Sequence, residues 1–406
     1  MTDPRRTLST VWRLESARIV ATLARIVRDV GLAEELAQDT MVIALEQWPA
    51  AGIPDHPASW LMATAKHRAI DTLRRHRTYQ EKLQEVGRAT PQKVHDEPDL
   101  DDYVGDDLLR LIFTTCHPAL PPESRAALTL RLLGGLSTDE IARAYLVPEP
   151  TVGKRITRAK RTLAERQIPI ELPPPAEASE RLASVLEVIY LIFNEGYSAT
   201  AGDDWMRPAL CDEALRLGRL LAGLAPAEPE VHGLVALMEL QASRTTARTD
   251  ADGNPILLPD QDRRRWDRLL IRRGLDALKH TERTYGPYAL QAAIAACHAR
   301  AARAEDTDWA RIAALYDVLA LVSPSPIVEL NRAVAVANAR GPAEGLAIVD
   351  GLELPQYPLL PAVRGDLLAR LGRTDEARQE FQRAAAMTRN AREQALFAAR
   401  AAALSP

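Results

Sequence analysis

The chemistry-bearing residues of this chain fall into two groups. The first is a pair of adjacent Cys-His dipeptides, Cys116-His117 and Cys297-His298. Those residue types could form a metal site or a nucleophile centre, but neither pair has metal-ligand spacing and nothing along the chain sets the distance between them. The chain has no Gly-rich phosphate loop of recognised spacing and no carboxylate pair placed for acid/base work. It is therefore expected to be no enzyme and to hold no metal and no cofactor. The second group is basic side chains gathered on helix faces, whose chemistry is recognition of polyanions.

In GLSTDEIARAYLVPEPTVGKRITRAKRTL, residues 135 to 163, two helix-length patterns flank a proline-broken turn. Ser137 followed by Glu140 reads as a capping box, which satisfies exposed backbone N–H groups and places a helix from Thr138 to Leu146. Pro148 and Pro150 stop it, and Pro150 suits the first position of the next helix because its missing N–H would be unpaired there. In that second helix Val152, Ile156, Ala159 and Leu163 fall on one stripe, while Lys154, Thr157, Arg158 and Arg161 project from the other side. Residues 151 to 166 carry six Lys or Arg and one Glu. A basic helix alone is compatible with a solvated face; cap, turn and stripe together point to a helix-turn-helix whose exposed face enters the major groove.

A second basic helix is expected within ASWLMATAKHRAIDTLRRHR, residues 58 to 77. Ala58, Leu61, Ala65, Ala69 and Leu73 make its apolar stripe, with Trp60, Thr64, His67, Asp71, Arg74 and Arg75 on the far side. An aromatic among basic groups suits single-stranded nucleic acid, because bases stack while Arg tracks phosphate. Trp60 at a helix start is equally compatible with a packing role. The preceding helix, residues 32 to 48, sets Glu35, Gln38, Asp39, Val42 and Glu46 on one stripe. This acidic face with an apolar residue inside it reads either as solvated or as a dock for a basic protein.

Elements and joints follow from composition. At 406 residues the chain is long enough for several domains, and its 47% apolar and 26% charged content is that of a globular protein. A net charge of -4 excludes a histone-like coating protein, so nucleic-acid binding must come from local patches. Three separated cysteines, no N-terminal apolar run and no window near the roughly 18 apolar residues of a membrane span predict a reduced, cytoplasmic chain without membrane association. Helical spacing covers residues 10 to 48 and 57 to 77, with a Pro-rich loop from 48 to 59 between them. Residues 96 to 107 hold seven acidic groups and no basic one, the profile of a solvated linker. Residues 169 to 178 form a stiffer, Pro-rich joint.

Beyond it the period stays near 3.6 to the end. One interruption, residues 244 to 259, centres on Asp252-Gly253 and predicts a small hairpin or ordered loop. Gly365, Ala377, Phe381 and Ala384 fall at the small and aromatic positions of a tetratricopeptide helix pair. Residues 330 to 352 offer a weaker copy, so degenerate helical repeats are expected from about Pro287, with an irregular helical bundle as the alternative.

Taken in order, these motifs resemble a sigma factor of the extracytoplasmic-function (ECF) class of the sigma-70 family. Residues 33 to 48 resemble its polymerase-binding helix, residues 60 to 77 its minus-10 helix, and residues 135 to 163 its minus-35 helix-turn-helix. The remainder resembles a long C-terminal helical extension carried by a subgroup. The resemblance implies an all-α fold: region 2 over 1–90, an acidic linker over 91–107, region 4 over 108–168, a Pro-rich linker over 169–178 and a repeat-like extension over 179–406. It implies a transcription initiation factor whose partners are the clamp and flap of core RNA polymerase, promoter DNA, and a regulatory protein or peptide at the extension.

By the same resemblance Glu35, Gln38, Asp39 and Val42 would bind the clamp. The loop from Pro49 to Pro57, with Asp55 and His56, would capture an unpaired minus-10 base, and Trp60, Lys66, His67, Arg74 and Arg75 would hold the melted strand. Thr151, Lys154, Arg155, Thr157, Arg158 and Arg161 would read the minus-35 element, although Gly153 stands where the family often has a longer polar residue. The linker carboxylates Asp99, Asp101, Asp102, Asp106 and Asp107 would thread the polymerase's RNA path. The segment Arg248 to Trp266 is the expected contact to the preceding domains. A different reading keeps the DNA binding but makes the chain an activator whose helical repeats sense a ligand or peptide.

Overall fold

The computed structural model describes residues 4–85, 104–145, 147–199, 201–282, 286–355 and 357–404. The chain divides into two compact units, Met1–Val188 and Ile189–Pro406. The division falls inside a helix, beyond the joint that composition marks.

The first unit contains α1 (Pro4–Val27), α2 (Val30–Ala51), α3 (Pro57–Glu85), α4 (Val104–Thr115), α5 (Pro122–Leu132), α6 (Thr138–Tyr145), α7 (Glu149–Glu165) and the first half of α8 (Ala178–Tyr197). The continuous pattern from residue 10 to 48 is broken in two. Arg28 adopts φ 56°, outside helical space, and Asp29 caps the next helix by accepting from the Leu32 N–H at 2.7 Å. In contrast, α2 runs past the expected stop. Pro49 forfeits one backbone bond near the end, yet the helix turns off only at Gly52, whose φ of 89° suits glycine and whose N–H reaches the Trp48 carbonyl at 3.0 Å. The loop before α3 is correspondingly shorter than the span from Pro49 to Pro57.

In this unit α1 packs on α2, α3 and α4, and α5 packs on α7. Ile19, Leu23, Leu61, Leu111, Leu128 and Leu130 are among its fully buried side chains. Helix α4 begins inside the expected acidic linker, which changes the standing of Asp107. That residue is 1% exposed and pairs with Arg25 at 2.7 Å and Arg110 at 3.1 Å, so it is a packed ion-pair member rather than a solvated linker carboxylate. Asp99, Asp101 and Asp102 lie outside the described residues, as does the side chain of Asp106.

The first half of α8 completes the unit. Arg181 donates to the Phe113 carbonyl at 2.9 Å, and Ser184 Oγ donates to the Cys116 carbonyl at 2.6 Å. Arg125, itself buried, donates to Ser184 Oγ and Glu187.

The second unit continues with α9 (Pro208–Leu224), α10 (Pro229–Ala242), α11 (Arg268–Lys279), α12 (Pro287–Arg300), α13 (Trp309–Val322), α14 (Pro326–Ala339), α15 (Pro342–Asp350), α16 (Leu359–Arg370), α17 (Thr374–Met387) and α18 (Ala391–Ala402). Five of these open on proline, at α9, α10, α12, α14 and α15, where a missing N–H costs nothing. From α12 onward each helix packs on the next, as helical repeats do. Close approach explains two glycines. A Cβ on Gly365 of α16 would meet the Ala377 carbonyl and the Phe381 ring of α17 at 3.2 Å. One on Gly345 of α15 would lie 2.5 Å from Ala337 Cβ of α14.

The segment around Asp252-Gly253 closes through a loop one residue longer than a two-residue hairpin turn with that pair at its centre: the Asp250 N–H reaches the Asn254 carbonyl at 3.0 Å across Ala251, Asp252 and Gly253. A single antiparallel bridge joins Thr249 and Pro255, and Gly253, at φ 80°, takes the fourth turn position with its N–H 3.3 Å from the Asp250 carbonyl. The Asp250 carboxylate holds the turn by accepting from the Asp252 and Asn254 N–H groups at 2.9 and 2.8 Å. The Arg248 guanidinium lies 3.4 Å from the Tyr197 ring centroid and 4.4 Å from that of Trp205. Arg263 donates to the carbonyls of His298 and Ala301.

No period announces the two-residue strands β1 (Ala201–Gly202) and β2 (Arg389–Asn390), which pair in parallel. The buried Asn390 side chain donates to the Ala199 and Asp204 carbonyls at 3.1 and 2.9 Å and caps α18 with its oxygen. Among the described residues, no helix is long and apolar enough to cross a membrane.

Candidate nucleic-acid interface

Helices α6 and α7 form as the local signals require. The Ser137 N–H donates to Glu140 Oε2 at 2.7 Å and the Glu140 N–H to Ser137 Oγ at 3.1 Å, a reciprocal cap. Pro148 takes the cap position of α7, so Glu149 precedes Pro150 in its first turn. Val152, Ile156, Ala159 and Leu163 are the buried residues of α7. Lys154, Thr157, Arg158 and Arg161 are exposed; Thr151 and Arg155 are half-buried at the edge of the stripe. Arg161 leans on Glu165 at 3.3 Å in an exposed pair of little energetic weight. Among the described residues Lys154, Arg155 and Arg158 make no ion pair, so their charge is available to an external anion. A Cβ built on Gly153 meets nothing within 4 Å, so the position before Lys154 is open.

Lys160 belongs to a different arrangement that sequence reasoning missed. It leaves the cationic face and binds the buried Glu34 of α2, which also accepts from Arg131 Nε of α5 at 2.6 Å and from Gln38 at 2.8 Å. Burial alone would raise the Glu34 carboxyl, but bonding to Lys160, with Arg131 behind it, holds it below the ordinary carboxylate range. Glu34 stands beside the acidic stripe read from sequence, and only its apolar neighbours Ala33, Leu36 and Ala37 hint that it faces inward.

On α2 the stripe named from sequence is mostly open. Glu35, Gln38, Val42 and Glu46 are exposed, and Val42 and Leu45 expose apolar surface within the acidic face, at 51% and 39%. Asp39 differs: it is half-buried and pairs with Arg68 of α3 at 2.6 Å. On α3 Leu61, Ala65 and Ala69 are buried, while Ala58 and Leu73 are half-buried. His67, Arg74 and Arg75 are exposed, as are Asp55 and His56 in the preceding loop; Lys66 is half-buried. Trp60 packs edge-on against the buried Trp48, ring centroids 5.7 Å apart, and stays half-buried. Packing thus occupies part of its surface, and the remainder faces outward beside the basic positions.

The Cys-His pairs fall in different units. The Cys116 thiol lies 3.5 Å from the Thr129 hydroxyl in a fully buried site, where burial pushes its pKa up, away from a reactive thiolate. Burial, reinforced by Arg181, lowers His117 to about 4, and burial with Arg244 and Arg263 lowers His298 to about 4. Cys297 is also buried, and burial raises its thiol.

Residues 12–79 match the family model described as sigma-70 region 2, and residues 110–163 match sigma-70, region 4. Residues 181–282 match a family of unknown function, DUF6596. Over 399 residues the chain is 46% identical to an uncharacterized protein of Rhizobium meliloti (strain 1021), covering 94% of this chain and 92% of that one. It is 28% identical over 150 residues to the ECF RNA polymerase sigma factor SigK of Mycobacterium ulcerans (strain Agy99), covering 36% of this chain and 78% of that one. It is 27% identical over 172 residues to the probable ECF RNA polymerase sigma factor SigI of Mycobacterium tuberculosis (strain CDC 1551 / Oshkosh), covering 41% and 58%.

Proposed function

Because the chain belongs to the ECF class of sigma-70 RNA polymerase sigma factors, in a form with an added C-terminal helical domain, we propose that it directs core RNA polymerase to its promoters. It reads a minus-35 element with α7, holds the minus-10 strand with α3 and its preceding loop, and helps to melt the DNA between them. The observation that carries this reading is the division of α7: a fully buried stripe on one side, unpaired Lys154 and Arg158 on the other. Arg and Lys so placed donate to guanine O6 and N7 in the major groove.

The exposed Glu35, Gln38 and Val42 of α2 supply the polymerase contact, whereas Asp39 serves first to pair with Arg68. Asp55 and His56 face the flipped base, with Trp60, Lys66, His67, Arg74 and Arg75 along the strand. Taking a base out of the stack costs a few kcal/mol, which these contacts must offset. Asp99, Asp101 and Asp102 remain the linker carboxylates for the RNA path; Asp106, which falls within α4, and Asp107 leave that set. The C-terminal domain acts as a regulatory or interaction module. The deciding experiment is run-off transcription with core polymerase and this chain alone on a matching promoter. Transcripts are expected without another sigma; a requirement for one would make the chain an activator instead.

Gly153 offers a narrower test. It lies inside α7 with open space around it, and glycine in a helix interior costs about 1 kcal/mol relative to alanine. Gly153→Gln is therefore expected to keep or raise the melting temperature while changing base preference at the minus-35 element in a promoter-selection experiment. A drop of several degrees would mean that the position is not open.

A further inference from the structure

In the second unit a groove of about 690 Å³ runs between α11, α12 and α13. Its floor is aliphatic: Ile271 and Leu290 are buried, and Leu275 and Leu315 are half-buried. Its rim carries Arg268 and Arg272 from α11, Arg300 from the end of α12 and Arg311 from α13, all exposed. Lys279 and Asp276, also on the rim, neutralise each other at 2.7 Å, which leaves Glu282 as the one further carboxylate among the lining residues. Among the described residues none of the four arginines has an ion pair.

Four exposed guanidiniums without an ion pair thus stand around a partly open aliphatic floor that water solvates poorly. One kind of occupant satisfies both. We propose that this groove binds an acidic segment of a partner protein, with carboxylates on the arginine rim and an aliphatic side chain on the floor. Arginine is suited to the first contact because its planar fork pairs carboxylates bidentately. Nucleic acid fits less well: single-stranded recognition relies on aromatic rings for base stacking, and among the described residues no aromatic side chain lines this groove. Sequence pattern did not announce the site, since its four arginines come from three helices.

The full-length chain is titrated into a fluorescein-labelled peptide of about 12 Asp, Glu and Leu residues, with leucine at helical spacing, and anisotropy is read. Micromolar binding that weakens with salt is expected, since exposed charges are screened. The double variant Arg272→Glu/Arg311→Glu should bind at least about tenfold more weakly, and Arg272→Lys/Arg311→Lys, which keeps the charge but loses the fork, should fall between it and the parent. Replacing the peptide's leucines by serine should cost at least about tenfold. Circular dichroism melting confirms that the variants fold. Equal binding by the charge-reversed variant, or by the serine peptide, overturns the proposal. So does an oligodeoxynucleotide of similar length that binds more tightly with the same sensitivity to charge reversal. No polymerase is present in this experiment, so its failure leaves the transcription reading untouched.

Discussion

Reversing both charges in Lys154→Glu/Arg158→Glu is expected to abolish minus-35 recognition while leaving the fold intact. The two side chains are exposed, and the residues that dock α7, from Val152 to Leu163, lie on the opposite stripe. Each good bidentate base contact contributes about 1–3 kcal/mol of discrimination. Two new carboxylates facing phosphate add repulsion to the loss of both contacts, so a total near 4 kcal/mol, about a thousandfold in affinity, is expected. The check is holoenzyme binding to a promoter fragment over a range of salt, where the logarithmic salt slope should also fall by about 2. Unchanged affinity and slope, with unchanged melting temperature, would mean that the cationic face of α7 is merely solvated.

Ending the chain at Pro174 should destabilise what remains, whereas ending it at Val188 should not. Composition places the joint at residues 169 to 178, and a cut there looks harmless. In the fold, however, the first half of α8 belongs to the first unit. Without it, the buried Arg125 loses Ser184 and Glu187, and the carbonyls of Phe113 and Cys116 lose Arg181 and Ser184. An intramolecular hydrogen bond contributes about 0.5–1.5 kcal/mol net, and one to a charged group about 1.5–3 kcal/mol. The apolar side chains of Val185, Leu186 and Val188, all buried, leave with the same segment. A loss of about 3–5 kcal/mol is expected, which in a domain of this size is roughly a 10 °C lower melting temperature. Equal melting of the two truncated chains would show that the first half of α8 is a tether. The comparison also decides how the extension must be tested. Lost transcription after a cut at Pro174 reports a damaged first unit, and only the cut at Val188 isolates the second.

Local signals were legible wherever the backbone's own bonding decides the outcome. The cap of Ser137 on Glu140, the prolines opening successive helices and the four-residue stripe of α7 all act within a turn or two of chain. Each therefore reads directly from residue type and spacing. The tetratricopeptide positions at Gly365, Ala377, Phe381 and Ala384 were legible for the same reason: helix neighbours in sequence are neighbours in space, and small residues mark where they touch. Missed local features were those where two signals compete. Asp29 caps α2 inside an otherwise unbroken apolar period, and Pro49 looks like a stop although Gly52 provides it.

By itself, then, the amino-acid order determined the all-helical fold, the family, the helix-turn-helix and which face of α7 is cationic. Tertiary structure alone decided which charges are spent internally. Glu34 meets Arg131 across 97 residues and Lys160 across 126, Asp107 is buried beside Arg25, and Asn390 reaches the Ala199 carbonyl across 191. An exposed arginine and a paired one are identical in sequence. Their difference is the desolvation and the partner that a particular packing supplies, and neither has a period along the chain. The same reason hid the arginine-rimmed groove, and it took Lys160 and Asp107 out of the surfaces to which their neighbours belong.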